Sequence, residues 1–524
     1  MSRKNLDKLI YLLALAVNVF LVFVLFSGLN AYETSTFFNS DALYLPSLYK
    51  DLIVEGKSLE GWNTAPSILL MPDVVLYFLL RALTGDLIVA SFVFGLIQYV
   101  GILVLGTLIY RIVFSDLSLA TPALMVLLMS TFHLVTVISG WYIFSSFLYL
   151  NGYHTGAFLM ALICVWLSLK YLCCPRRNLL IILYVLVPLS VASDLLFILM
   201  FPLAFGLALL FQFLTGKDQR TGKLLFLTSV SLVAGLLIYW AIRQSGYIHL
   251  GRASNVMNPD KVAASFHMLT NQLTSYLLVF DFRSLIILLA AASLVTQLVI
   301  LIRRMLRKKF SGLKTLWLLF SVLFISGIFS APVITGSYSG FDSVRYNFAA
   351  YVLAMINLGL LLSGAFMSGR LTSDVVRGFS AAMLVAVLYA GITNFSASGL
   401  KAFFNYYPEL AQVADEVAQR HQLKKGIANF WKAKFITMFS KEGVEVYPVF
   451  ITGHPYHHLV DEDVFYEETS EFNFIILYGM DDEKRYMERF PEGIPVESGL
   501  LKIRLLPDFR FHRNSKMPIY LNAE

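Results

Sequence analysis

The stretch Phe38-Asn39-Ser40-Asp41-Ala42-Leu43-Tyr44 places an acidic residue shortly after the first hydrophobic segment of the chain. An amphipathic segment, Ala42 to Gly56, follows, and further segments of membrane length come later. An ionisable group at the boundary of a membrane is costly and is usually kept for function. The pattern therefore indicates chemistry at a membrane surface.

The composition is that of an integral membrane protein. Of the 524 residues, 57% are hydrophobic and 14% are charged, and the mean hydropathy is +0.69. A soluble protein carries about 25% charged residues. The net charge of +7 comes largely from basic residues at the ends of hydrophobic segments, so it does not indicate a nucleic-acid partner.

The three cysteines do not predict a disulfide framework, because their number is odd and they lie in or beside one apolar segment. Cys173 and Cys174 are adjacent. They are either lipidated at the membrane edge or simply small apolar residues at the end of a helix.

Apolar segments of about 20 residues, the length that crosses a bilayer, recur along residues 1–393. They predict a mainly α-helical polytopic bundle of about 11 spans. The predicted spans are 8–29, 87–111, 117–138, 153–173, 179–192, 195–214, 223–243, 283–303, 312–330, 346–366 and 375–393. The segment 179–192 is short for a full span.

The basic residues predict the orientation of these spans, since cytoplasmic loops are rich in Lys and Arg. With the N-terminus in the cytoplasm, the basic run Arg303 to Lys309 faces inward. A full span at 67–83 would turn this run outward. We therefore predict that 30–86 is one outer loop, with an amphipathic helix at 42–55 and a juxtamembrane or re-entrant helix at 67–83.

The amphipathic helix at 42–55 has an apolar face with i, i+3, i+4 spacing. That predicted face consists of Leu45, Leu48, Tyr49, Leu52 and Ile53.

Residues 394–524 are less hydrophobic and more charged, which predicts a small extracytoplasmic α/β domain after the membrane module 1–393. The patterns predict helices at Tyr407–Gln422 and Asp481–Arg489, and strands at Val444–Thr452, Phe472–Tyr478 and Leu500–Leu505.

The unusual polar residues fall on the predicted outer side. Asp41 is either a cap for the following helix or a general base for an acceptor. Asp194, between two apolar runs, is either a helix cap or a second acidic residue of the same site. The candidate site residues are Asp41, Tyr44, His154, Asp194, Arg345 and Tyr346.

Arg345 precedes a long apolar segment and has two interpretations. It either reaches to the membrane interface or grips a phosphate through paired hydrogen bonds. His154 opens a segment after an aromatic loop, and it is either structural or part of the site.

No motif for a metal or a soluble nucleotide is present. His454-Pro455-Tyr456-His457-His458 and Asp461-Glu462-Asp463 contain metal-binding residue types, but their spacing fits no zinc or calcium pattern. No phosphate-binding loop, dinucleotide fingerprint or nucleophile elbow occurs where a fold would need it. No metal site is predicted.

The layout of residues 1–390 resembles the GT-C superfamily of membrane glycosyltransferases. That superfamily includes the protein O-mannosyltransferases and the bacterial transferases that add aminoarabinose to lipid A. The resemblance lies in Asp41 and the aromatic-rich helix after it, in the segment Pro66 to Gly85, and in the outer C-terminal domain. Many relatives carry a second acidic residue here, whereas Ala42 and Leu43 follow Asp41.

The resemblance implies an inverting glycosyltransferase that takes a sugar from a polyprenyl phosphate at the outer face of a membrane, expected to be a bacterial inner membrane. The implied partners are the lipid-linked donor, membrane lipid and an acceptor that is a glycan, a lipid or a protein. Asp41 would be the catalytic residue. A divalent metal is compatible with the family, although no motif supports one.

Two other functions fit the same sequence. Charged residues in a polytopic bundle also suit a lipid or solute transporter, although no inverted repeat is visible. A non-catalytic protein with a degenerate transferase fold would also carry a single acidic residue in this loop.

The orientation predicts which residues react with a membrane-impermeant thiol reagent. Cysteines introduced one at a time into a cysteine-free variant at 30–66, 244–281 and 400–524 should be labelled in intact cells, and those at 303–311 should not. Labelling of 400–524 only after permeabilisation would contradict the outward-facing site.

Overall fold

The computed structural model describes residues 3–114, 119–140, 142–251, 258–279, 282–309, 311–362, 373–450, 453–467, 470–477, 493–498, 501–511 and 519–520. The chain forms two compact units. Unit 1 comprises Met1–Leu29, Leu69–Tyr239 and Ala253–Phe404, and unit 2 comprises Asn30–Ile68, Trp240–Arg252 and Asn405–Glu524. The predicted division of the chain at residue 393 stays a prediction.

The helices are named in chain order. They are α1 (Arg3–Ser27), α2 (Ala31–Phe37), α3 (Tyr44–Tyr49), α4 (Val75–Thr84), α5 (Leu87–Phe114), α6 (Ala120–Ser139), α7 (Tyr142–Ser146), α8 (Thr155–Cys173), α9 (Arg177–Ser193), α10 (Ala204–Gly216), α11 (Gln219–Ser245), α12 (Pro259–Val279), α13 (Phe282–Leu306), α14 (Leu313–Ile334), α15 (Val344–Leu362), α16 (Ser373–Asn394), α17 (Ala397–Phe404), α18 (Glu409–His421) and α19 (Phe430–Phe439).

The strands are short and lie in unit 2. They are β1 (Trp62–Thr64), β2 (His249–Leu250), β3 (Lys425–Ala428), β4 (Glu445–Pro448), β5 (Val460–Asp461), β6 (Phe472–Ile476), β7 (Ile494–Ser498), β8 (Leu501–Arg510) and β9 (Ile519–Tyr520).

Unit 1 is a polytopic bundle, which confirms the predicted fold class. Among the residues that the structure describes, ten helices are long and apolar enough to cross a membrane, and α9 is a shorter apolar helix. One of the ten is Leu199–Gly216, in which a π-helical turn, Leu199–Leu203, continues as α10. The segment predicted at 67–83 is not one of the ten. It forms a π-helical turn, Leu70–Val74, and the ten-residue helix α4, which ends where Gly85 adopts a positive φ of 66°.

Helix α15 lies at the centre of the bundle. Of its 18 most apolar consecutive residues, 89% are buried, whereas the corresponding share for α11 is 17%. It packs on α6, α13 and α14, and α1 packs on α6 and α16. The exposed apolar side chains of α11, α13 and α16 are what a lipid-facing surface requires.

A buried amide joins three helices inside the bundle. Asn18 on α1 donates to the carbonyl of Val126 at 3.0 Å and to Oγ of Ser130 at 3.1 Å, both on α6. Its Oδ1 accepts the hydroxyl of Tyr99, on α5, at 2.5 Å. These hydrogen bonds offset the free-energy cost of burying the polar atoms in apolar surroundings.

Unit 2 is a mixed α/β unit, as the composition of the tail predicts. Its larger sheet has the strand order β4-β3-β6-β8-β7, with β9 paired to β8. β3 pairs in parallel with β4 and β6, and the pairings of β8 are antiparallel. The smaller sheet has the order β2-β1-β5. The predicted helix at Asp481–Arg489 lies outside the described residues.

The amphipathic helix of the loop is also in unit 2. It begins as α3 at Tyr44 and continues as a π-helical turn over Lys50–Val54. Leu45 and Leu48 are buried as predicted, but Ile53 is 57% exposed. The π-helical turn shifts the rotation between successive residues away from the α-helical value, so the apolar face through Ile53 stays a prediction at this end.

Candidate active site

The last residue of α9 holds the irregular segment before α4 in unit 1. Oγ of Ser193 accepts the N–H of Met71 at 2.8 Å and donates to its carbonyl at 3.1 Å. The carbonyl of Ser193 accepts the N–H of Leu69 at 3.0 Å. These bonds fix residues 69–71 beside the end of α9, where Asp194 follows.

Asp73 is the acidic residue that this segment brings into the bundle. Its side chain is 1% exposed, and Oδ1 accepts the N–H of Gly152 at 3.3 Å. The carboxyl lies against Gly156 in the first turn of α8, where a Cβ atom would overlap it. Burial raises the pKa of Asp73 to about 8 against the effect of the Gly152 bond, and the charge of Asp194 adds to the rise.

His154 and Asp194 form a buried pair. Nδ1 of His154 lies 2.7 Å from Oδ2 of Asp194, and the carboxylate is 2% exposed. Oδ1 of Asp194 accepts the N–H of Leu196 at 3.0 Å. The same carboxylate therefore orders the turn after α9 and orients the imidazole at the start of α8.

Arg345 and Tyr346 reach the same end of the bundle from the start of α15. The ring of Tyr346 faces that of His154, with centroids 5.5 Å apart. Arg345 lies over the Tyr346 ring at 5.1 Å and donates to its hydroxyl at 3.3 Å. The guanidinium is therefore held by an aromatic platform rather than extended freely along the bundle.

This end of unit 1 combines groups that suit an anionic ligand. The N-termini of α8 and α15 meet there, and helix N-termini carry partial positive charge. The half-buried Arg345 adds a full positive charge with a planar set of donors. We call the group of Asp73, His154, Asp194, Arg345 and Tyr346 the bundle-end site.

Four of the six predicted site residues thus come together in unit 1. They are His154, Asp194, Arg345 and Tyr346. Asp73 was missed, although a single acidic residue in the apolar run Leu69 to Leu80 is the same signal that pointed to Asp194.

Asp41 and Tyr44 belong to unit 2. Helix α3 begins at Tyr44, and no side chain caps it. Asn39 stabilises the turn before α3, because its Oδ1 accepts the N–H of Ala42 at 2.9 Å. Oγ of Ser40 donates to the carbonyl of Phe430 at 2.7 Å, which fixes the backbone next to Asp41.

Lys434 is the unusual neighbour of this segment. Its side chain is 5% exposed, and its Nζ has no hydrogen-bond partner among the described residues. It lies 5.8 Å from the ring centre of Tyr44 and 5.9 Å from that of Trp62. Burial lowers the pKa of Lys434 to about 7, against the attraction of the charges of Asp41 and Asp51.

A small cavity of about 40 Å³ lies beside this lysine. Lys434, Trp62, Asp51 and Asp461 are among its lining residues. Burial raises the pKa of Asp51 and of Asp461 to about 6 in each case. Unit 2 thus has three ionisable groups, Lys434, Asp51 and Asp461, whose pKa values are shifted toward 7. They lie near the aromatic pair of Tyr44 and Trp62.

Nothing in the described part of the chain forms a metal centre. No group of three or more His, Cys, Asp or Glu residues there could hold a metal ion. His457, one of the metal-capable residues of the tail, has its Nδ1 3.0 Å from a carboxylate oxygen of Glu462.

Unit 1, with its membrane-length helices, and the mixed α/β unit define a polytopic membrane protein. The structure is similar to the crystal structure of ArnT from Cupriavidus metallidurans bound to undecaprenyl phosphate. The TM-score is 0.54 at 11% sequence identity, over 94% of this chain and 97% of that one. No protein-family model and no curated protein sequence matches this chain. At this identity the similarity concerns the fold.

The unpaired amine of Lys434 predicts an unusual pH dependence of stability. The pKa of the amine is about 7 in the folded state and near 10.5 when unfolded, so the unfolded state binds more protons between these values. The destabilisation is therefore greatest below pH 7 and is lost as the pH rises toward 10.5. Lys434→Met should stabilise the protein by about 1–3 kcal/mol at pH 7 and by clearly less at pH 9.5.

Denaturation of the full chain in detergent at both pH values would measure this effect. The exposed Lys424→Met is the matched control and should change stability by less than about 0.5 kcal/mol at either pH. Destabilisation by Lys434→Met at pH 7 would show instead that the amine of Lys434 has a hydrogen-bond partner, and would contradict the prediction.

Proposed function

We propose that this protein is an inverting GT-C-type glycosyltransferase, which moves a sugar from a polyprenyl-phosphate donor to an acceptor at the outer face of the membrane. Its N-terminus would be cytoplasmic and its C-terminal domain extracytoplasmic, in a bacterial inner membrane. The observation that carries the proposal is the bundle-end site, with Arg345 at two helix N-termini, in a fold similar to ArnT bound to undecaprenyl phosphate.

In this proposal Arg345 binds the donor phosphate. Its guanidinium can give two parallel hydrogen bonds to phosphate oxygens, and the aromatic platform of Tyr346 reduces the rotamer freedom lost on binding. His154, oriented by Asp194, contributes a further polar contact on the same side. The polyprenyl chain would lie against apolar helices, as a lipid does.

Asp41 is the proposed general base. Its carboxylate takes the proton of an acceptor hydroxyl or amine as that atom attacks the anomeric carbon on the face opposite the phosphate. The bond between the anomeric carbon and the phosphate oxygen breaks, and the electron pair leaves with the polyprenyl phosphate. Arg345 stabilises that charge, so one base and one cation suffice. The configuration at the anomeric carbon inverts.

Tyr44 is the proposed substrate-binding residue next to Asp41. Its ring is buried against Trp62 and lies beside the amine of Lys434. The position of the ring therefore affects the electrostatic environment of the segment that carries Asp41. The acceptor is left open as a glycan, a lipid or a protein.

Substitution of Arg345 tests the donor site. Arg345→Gln removes both the charge and the paired donors and should weaken binding of a polyprenyl-phosphate sugar by at least about tenfold. Arg345→Lys keeps the charge and should retain part of the affinity. Arg243→Gln, a change of the same type in an exposed residue of α11, should bind normally. Equal donor binding by wild type and Arg345→Gln would move the phosphate role to another cation. The next candidates are Arg252, which lies outside the described residues, Lys261 and Arg283.

Substitution of Asp41 tests the enzyme itself. With a synthetic polyprenyl-phosphate sugar and a mixed acceptor pool, Asp41→Asn should lower the transfer rate about 100- to 10,000-fold, the range of a general base. Donor affinity should stay the same. Glu60→Gln, in the same loop and exposed, should remain active. Full activity of Asp41→Asn would remove Asp41 from the mechanism, and no transfer by the wild type would favour the transporter or the degenerate-fold alternative.

A further inference from the structure

A groove lies at the end of unit 1 opposite to the bundle-end site. It has a volume of about 510 Å³ and lies between the end of α8 and the first turns of α9 and α11. Tyr171, Arg177 and Lys223 are among its lining residues. Helix α8 has 19 residues and starts at the bundle-end site, so its length puts about 28 Å between the two places. The groove is therefore separate from the proposed transferase chemistry.

The polar wall of this groove is cationic. Arg177 and Lys223 are both exposed, and among the described residues neither forms a salt bridge with a carboxylate. The N-termini of α9 and α11 add partial positive charge. The acidic residue near the start of α11 is Asp218, and its Oδ2 already accepts Thr221 N–H at 3.0 Å and the Thr221 hydroxyl at 2.8 Å.

The other wall is apolar and open to the surroundings of the bundle. Ile181 and Tyr184 line it, and they are 52% and 51% exposed. Both belong to α9, an apolar helix of the membrane bundle, so this surface faces acyl chains rather than water. A ligand that fits both walls has an anionic head and hydrocarbon chains.

We propose that this groove binds an anionic phospholipid. The phosphate lies between Arg177 and Lys223, and the acyl chains run along the exposed face of α9. Basic pockets between helices at a membrane edge recognise such headgroups, whereas a zwitterionic lipid loses much of the attraction. This proposal stands independently of the glycosyltransferase activity.

Native mass spectrometry of the full-length protein in detergent tests the proposal, with phosphatidylglycerol as the probe. Phosphatidylglycerol should bind about tenfold or more tightly than phosphatidylcholine. The double variant Arg177→Gln/Lys223→Gln should lose about tenfold or more of that affinity. The control Arg176→Gln/Arg220→Gln removes the same charge at the same helix ends outside the groove, and should lose less than about threefold.

Three results would overturn the proposal. The first is equal binding of phosphatidylglycerol and phosphatidylcholine, or equal loss in both double variants. The second is full competition by inorganic phosphate at millimolar concentration, which would make the groove a site for free phosphate. The third is preferential binding of undecaprenyl phosphate with the same sensitivity to Arg177 and Lys223, which would make it a second polyprenyl site. The single variants give the same test if the double variant does not fold.

Discussion

Backbone that leaves a helix near a membrane has to find its hydrogen-bond partners within the protein, because hydrocarbon offers none. In unit 1 this constraint is met by Ser193. Its hydroxyl and carbonyl take up the polar groups of residues 69–71, and the same residue ends α9 just before Asp194. The position of Asp73, the orientation of His154 through Asp194, and the stacking of Tyr346 on His154 all depend on that connection.

Much of the fold could be predicted because hydrophobicity decides it. The helices of the bundle and the short length of α9 follow from apolar runs, and basic runs ruled out a full span at 67–83. The π-helical turns could not be predicted, since no composition distinguishes them from α-helix. The helix that carries Ile53 therefore has a π-helical turn that the apolar pattern did not indicate.

The candidate site was less accessible to sequence reasoning. Asp194 and Arg345 stand out because charged residues beside apolar runs are rare, but their partners depend on which helix ends meet. Asp73 gave the same signal and was missed within a segment that was interpreted only from the orientation of the later spans. Lys434 gave no signal, because a lysine in a charged tail is ordinary until its burial is known.

The similarity to ArnT at 11% identity illustrates what a membrane bundle demands of its sequence. A lipid-facing or core position accepts many apolar residues, so the chain can diverge widely while the fold persists. Function resides in the few positions that cannot diverge in this way. In this chain the buried polar residues at helix ends are positions where the cost of burial has to be balanced by a partner or a ligand.

The contacts of Asn18 have a consequence for how the protein assembles. Helix α1 precedes α5 and α6 in the chain. The Nδ2 of Asn18 has one acceptor within α1, the carbonyl of Ala14, but its other acceptors lie on α6 and the donor to its Oδ1 lies on α5. Until α5 is inserted, Oδ1 of Asn18 lacks the donor that it has in the folded bundle and remains an unpaired polar atom in a segment surrounded by lipid. Early release of α1 into the bilayer is therefore disfavoured, and a chain truncated before α6 would present this amide to whatever quality-control protease samples incomplete membrane proteins.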